Sequence, residues 1–214
     1  MTRRAADGFT LIEMLIVIGV IGVLAVVLLP AILEGSEQAE VAETSARIET
    51  LAQSVASYER RHGAYPPDDF TDLEGRPVAK DNGENSGIES LVWFLCQRRI
   101  GSDSIADHED WLANTDRDAA ADVIPELQRK DLMEVVDSWG APLVYFSAQS
   151  SNYERQQRVR MPGEGAEAQR VKPVLNPRTG KPAAPRKFQL ISAGPDGLFG
   201  TPDDITHPSF VGVQ

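Results

Sequence analysis

The sequence predicts an α+β protein in which one long N-terminal helix, apolar in its first half and amphipathic in its second, packs on a small antiparallel β-sheet. Three observations carry that expectation. Residues 14–33 form an uninterrupted run of twenty uncharged side chains. Apolar residues then recur at helical spacing as far as Tyr58. Later, short apolar segments bounded by Gly and Pro read as strands, of a sheet of about three.

At about 1.5 Å rise per residue the uncharged run matches a bilayer core of roughly 30 Å, so it predicts a membrane helix. A secretory signal peptide has a shorter apolar region followed by a small-residue cleavage motif, and nothing of that kind follows Leu33. Arg3 and Arg4 precede the run and place this end on the cytoplasmic side, with the remainder outside the cytoplasm. Glu13 interrupts the apolar pattern between Ile12 and Met14. A carboxylate there costs about 2.5–3.5 kcal/mol on insertion scales, so a partner is expected. No basic side chain lies within one turn on its C-terminal side, and a group on another molecule is the natural candidate.

The string GFTLIEMLIVIGVIGVLAVVLLP resembles the processing and membrane segment of type IV pilins and type II secretion pseudopilins. The resemblance implies that residues 1–8 are a leader cut off after Gly8 by a prepilin peptidase, and that Phe9 becomes the methylated new N-terminus. It implies that Glu13, the fifth mature residue, pairs with the N-terminal amine of a neighbouring subunit during assembly. Pro30 falls where the family often carries a helix-bending proline.

Beyond residue 33 the pattern turns amphipathic. Val41, Ile48, Leu51, Val55 and Tyr58 recur on one side, and Glu37, Glu40, Glu43, Arg47, Glu49 and Glu59 lie between them as a solvated face. His62-Gly63 and the prolines at 66 and 67 stop the helix. The expected organisation is therefore a leader over 1–8, a transmembrane helix over 9–33, the soluble half of that helix over 34–62, and a globular head over 63–214.

Within the head, residues 68–86 are polar and read as loop, and 87–95 as a short helix similar to one in the major pseudopilins of type II secretion. The acidic run over 101–130 reads as a helix-permissive, solvated surface. Asp137-Ser138-Trp139-Gly140 reads as a turn entering a strand, and it resembles the same proteins with Ser138 in place of a proline. Residues 154–187 depart from them. This basic, proline-interrupted insertion reads as a solvated hairpin loop, with contact to an acidic face of the next subunit, or binding of nucleic acid or another anionic partner, as the alternatives.

Residues 188–192 read as a strand, and a Gly- and Pro-rich loop carrying Asp196, Asp203 and Asp204 follows. On chemistry alone this is either a turn-rich loop or an oxygen-lined site in which a hard divalent cation relieves carboxylate repulsion; the spacing is not that of an EF-hand. The run SAGPDG, followed by an acidic pair and Ile, resembles the calcium loop of the major pseudopilin. That resemblance implies calcium held by the side chains of Asp196 and Asp203 and the carbonyl of Ala193, with Asp204 as a further ligand. There the loop replaces a disulfide, and Cys96 is the only cysteine here.

The net charge is −11, which disfavours attraction to nucleic acid and favours cations. No nucleophile elbow, phosphate-cradling glycine loop or zinc motif is present, and His62, His108 and His207 stand in dissimilar settings, so an enzyme is not expected. The resemblance implies a structural subunit of a type II secretion pseudopilus that drives export across the outer membrane. Its implied setting is the inner membrane, with the head periplasmic. Its implied partners are further copies of itself, minor pseudopilins, the prepilin peptidase and the inner-membrane secretion platform. The alternatives are a type IV pilus subunit for adhesion, motility or DNA uptake, and a membrane-anchored binding module that never polymerises.

Overall fold

The computed structural model describes residues 9–96, 105–124, 128–148, 155–163, 165 and 167–209, and leaves aside the side chains of 27–34, 106 and 121–124. The leader over 1–8, including Gly8, lies outside the described residues. The architecture is α+β: one long helix, a second short one, and small antiparallel sheets.

Helix α1 spans Leu11–His62 and continues without a break through Pro30 and Gly35. It ends where expected, with the Gly63 N–H donating to the Glu59 carbonyl at 2.8 Å. Two compact units divide at Ala39 and Glu40. In the first, the large apolar side chains from Phe9 to Val26 are exposed. Among the described residues no helix is long and apolar enough to cross a membrane. Seven positions of the expected span over 14–33, residues 27–33, have side chains outside the described ones.

In the second unit Ile48, Leu51, Val55 and Tyr58 are buried as the periodicity predicts, while Val41 is half-buried. Helix α2, Ser86–Cys96, lies beside them and is buried almost throughout. Its second residue is glycine for a steric reason. A Cβ on Gly87 would fall 2.4 Å from the Tyr145 carbonyl oxygen and nearer still to the Gln157 side chain.

The chain then makes a 3-10 helix over Ile105–Trp111 and strands β1 (Leu112–Ala113), β2 (Ala119–Ile124), β3 (Arg129–Asp131) and β4 (Glu134–Val135). Strand β1 pairs with β4, and β2 with β3, both antiparallel. The acidic segment is a helix-permissive, solvated surface only in its first part, where Asp107, Glu109 and Asp110 of the 3-10 helix are exposed; beyond it the expectation fails. Its alanines and β-branched residues find strand partners, and Asp116 and Asp118 turn inward.

Strands β5 (Val144–Ser147), β8 (Phe188–Ser192) and β9 (Ile205–His207) form the expected three-stranded antiparallel sheet in the order β5-β8-β9. Both of its faces are buried. Tyr145, Phe188 and Leu190 face the core containing α1 and α2, while Val144, Phe146 and Ile191 face a second cluster completed by Val159 and Val171. Those two valines come from β6 (Gln157–Arg160) and β7 (Ala168–Val171), an antiparallel hairpin inside the basic insertion. The insertion is therefore a covering layer rather than a solvated loop. Buried Gln189 ties it down, accepting from the Val174 N–H at 2.8 Å and donating to the Val174 carbonyl at 3.1 Å.

Candidate assembly and metal sites

The first candidate site opens α1. Phe9 is 73% exposed. The Thr10 N–H and hydroxyl donate to Glu13 Oε2 at 2.8 and 2.6 Å, and the Glu13 N–H donates back to Thr10 Oγ1 at 3.3 Å. This is a capping box: Thr and Glu three residues apart satisfy each other's otherwise orphaned backbone donors. Glu13 thus has a role within its own chain that inspection for charge partners missed, although the T-x-x-E spacing carried the signal. One carboxylate oxygen is committed to the cap, which leaves the negative charge itself uncompensated by any described cation.

The second candidate is the loop over 193–204 between β8 and β9. Its entry is fixed by Asp137, in the turn ahead of β5. The Ser192 hydroxyl donates to Asp137 Oδ2 at 2.8 Å, and the Gly194 N–H donates to Ser192 Oγ at 3.1 Å. Gly194 has φ +66°, and a Cβ there would fall 2.4 Å from the Asp203 carbonyl oxygen, so only glycine lets the two arms of the loop close. Across that neck the Asp196 N–H donates to Asp203 Oδ2 at 3.2 Å.

The predicted ligands are placed as follows. Ala193 is fully buried at the base of the loop. Asp196 is exposed, and its Oδ1 accepts from the Leu198 N–H at 2.7 Å. Asp203 Oδ1 accepts from the Thr201 hydroxyl at 2.5 Å, a bond that holds its carboxyl below the ordinary range. Asp204 Oδ2 accepts from the Gly200 N–H at 2.8 Å, whereas its Oδ1 is buried without a hydrogen-bond partner. Burial pushes the Asp204 carboxyl up to about 6. Among the described residues the three carboxylates do not all come within 4.8 Å of one another, so a site here would draw on backbone carbonyls as well. An all-oxygen donor set with an orphaned buried carboxylate oxygen fits a hard cation.

Sequence reasoning missed one supporting residue. Gln169 of β7 donates to the Gly197 carbonyl at 2.8 Å and accepts from the Phe199 N–H at 3.2 Å, clamping the tip of the acidic loop to the basic hairpin. Nothing local marks it, because the partners are separated by about thirty residues of chain.

Residues 3–29 match the prokaryotic N-terminal methylation motif. The chain is 40% identical over 139 residues to a type IV major pilin protein PilE1 of Neisseria gonorrhoeae, covering 48% of this chain and 84% of that one. It is 42% identical over 92 residues to the type IV major pilin protein PilE of the same organism, covering 40% of this chain and 55% of that one. It is 26% identical over 208 residues to the type II secretion system core protein G of Escherichia coli (strain K12), covering 95% of this chain and 94% of that one. The chain spans about half the length of several of the pilins it matches. No solved structure matches it significantly.

A capped N-terminal helix carrying the methylation motif, followed by a small α+β head, defines a filament-subunit class rather than a catalytic one. The chain belongs to the family of type IV pilins and type II secretion pseudopilins, and as such is a structural subunit and not an enzyme.

Proposed function

We propose that this chain is a subunit of a type II secretion pseudopilus. The observation that supports this reading best is the match to core protein G along nearly the whole of both chains, head included. In this reading residues 1–8 are removed by prepilin peptidase, Phe9 becomes the methylated N-terminus, and the apolar helix anchors the subunit in the inner membrane until it polymerises. The exposed apolar side chains of the first unit are then the surface that lipid, and later neighbouring helices, cover. The Glu13 charge meets the terminal amine of an adjacent copy. The periplasmic filament, in contact with minor pseudopilins and the secretion platform, drives export across the outer membrane.

Calcium belongs to the same proposal. Asp196, Asp203, Asp204 and the Ala193 carbonyl would hold it, and the ion would supply positive charge between acidic groups on a loop without a disulfide. A type IV pilus subunit is the second reading, favoured by the higher identity to the gonococcal pilin over its aligned part.

The capping box shapes the test. Glu13→Gln keeps the reciprocal hydrogen bonds and removes the charge, whereas Glu13→Ala removes both. Co-expression with a prepilin peptidase and the secretion platform should give processed protein in both variants and filaments in neither. Filaments formed by Glu13→Gln at the native level would overturn the ion-pair role, and retention of residues 1–8 in the unmutated chain would overturn the processing.

A further inference from the structure

Three carboxylates outside the C-terminal loop converge inside the head. Glu89 stands in the first turn of α2, Glu134 on β4, and Asp116 in the turn between β1 and β2; each offers an oxygen, and these atoms all lie within 4.8 Å of one another. Glu134 is 0% and Glu89 1% exposed. Burying charge this completely is expensive unless it is paired.

Glu134 is oriented by donors. Asn85 Nδ2 reaches its Oε1 at 2.8 Å, and the Thr115 N–H reaches its Oε2 at 2.9 Å. Asp116 Oδ2 accepts from Asn82 Nδ2 at 2.9 Å. Glu89 differs: both of its oxygens are buried and neither has a hydrogen-bond donor among the described residues. The strongest electrostatic influences on it come from Asp118, Asp116, Glu134 and Asp81, all of one sign. Asp118 Oδ1 and Asp81 Oδ2 are also buried without partners. Positive charge stands close by but is engaged elsewhere: Arg160 Nε binds Glu84 at 2.7 Å, and its guanidinium also feels Asp116. Asp116, alone of the three carboxylates, also lines a solvent-open cleft with Asn82, Thr115, Arg117 and Arg160.

We propose that Glu89, Asp116 and Glu134 form a second calcium site, buried between α2 and β4 and built from elements other than the loop over 193–204. Asp118 and Asp81, outside that group of three, add negative charge that acts on Glu89. The ligands are all hard oxygens drawn from three separate elements, an irregular set that calcium accommodates and magnesium, which demands near-octahedral geometry, does not. An ion here would tie α2 to β4 and to the β1–β2 turn, cross-linking the core of a chain that has no disulfide. The competing explanation is a proton: a neutral Glu89 donating to Asp118.

Calcium binding to the full chain in detergent, measured by equilibrium dialysis after chelator treatment, separates these. The background is Asp203→Asn with Asp204→Asn, which removes side-chain ligands from the C-terminal loop. That protein should still bind calcium, and adding Glu89→Gln should weaken the remaining binding by at least about tenfold, because it removes a ligand and a charge. Asp116→Asn, at the half-buried rim, should act in the same direction and guards against a folding defect at Glu89. Loss of all calcium binding in the background protein, or binding unaffected by both further substitutions, would overturn the proposal in favour of the shared proton. Failure of the C-terminal loop to bind calcium would read differently: the background substitutions would leave binding unchanged, and Glu89→Gln would still weaken it.

Discussion

Asp137 shows how much one buried carboxylate organises. Its Oδ1 accepts from the N–H groups of Trp139 and Ala141 at 3.0 and 2.9 Å, and its Oδ2 accepts from Ser192 at the mouth of the acidic loop. Burial raises its carboxyl, and the bond from Ser192 works against that rise. Asp137→Ala would strand buried donors in both the turn and the loop, so the head should lose roughly 2–4 kcal/mol in equilibrium unfolding, while Asp137→Asn loses less. A change under about 1 kcal/mol for the alanine variant would show that water replaces those bonds. The same care applies to Glu13, whose alanine variant removes a helix cap together with a charge.

At the level of elements, the basic hairpin matters most. Gln157-Arg158-Val159-Arg160 and Gln169-Arg170-Val171-Lys172 repeat one pattern in which a single valine stands between cations. In the antiparallel register the arginines 158 and 170 sit opposite each other, and Arg158 is relieved by Glu84 at 2.8 Å. Each valine points into the second core cluster. Fully burying such a side chain contributes about 1.5–3 kcal/mol, so the hairpin is worth more than its polar composition indicates. Deleting residues 161–185 should expose Val144, Phe146 and Ile191 and abolish cooperative thermal unfolding. A shortened protein that still melts in one sharp transition would show that the sheet does not need this cover.

For the whole molecule, the bonds from Gln169 join the hairpin to the proposed calcium loop. Removing calcium with a chelator should therefore raise hydrogen exchange in residues 193–204 and also in β7, and lower the melting temperature. Asp196→Asn should make the protein less responsive to chelator; an equal response in that variant would refute a role for Asp196 as ligand. Gln169→Ala should loosen the loop while the calcium response persists.

How legible all this was in the chain depends on the range of the interactions. The helix over 11–62, its stop at Gly63, the strand over 188–192 and the T-x-x-E of Thr10 and Glu13 rest on periodicity, turn chemistry and contacts within a few residues, so the sequence alone determined them. The burial of both sheet faces, the inward turn of Asp116 toward Glu89 and Glu134, and the grip of Gln169 on the acidic loop depend on segments far apart in the chain. For those the local pattern of charge pointed to solvent, and only tertiary packing could decide, because a carboxylate or an arginine-flanked valine is placed by what surrounds it in space.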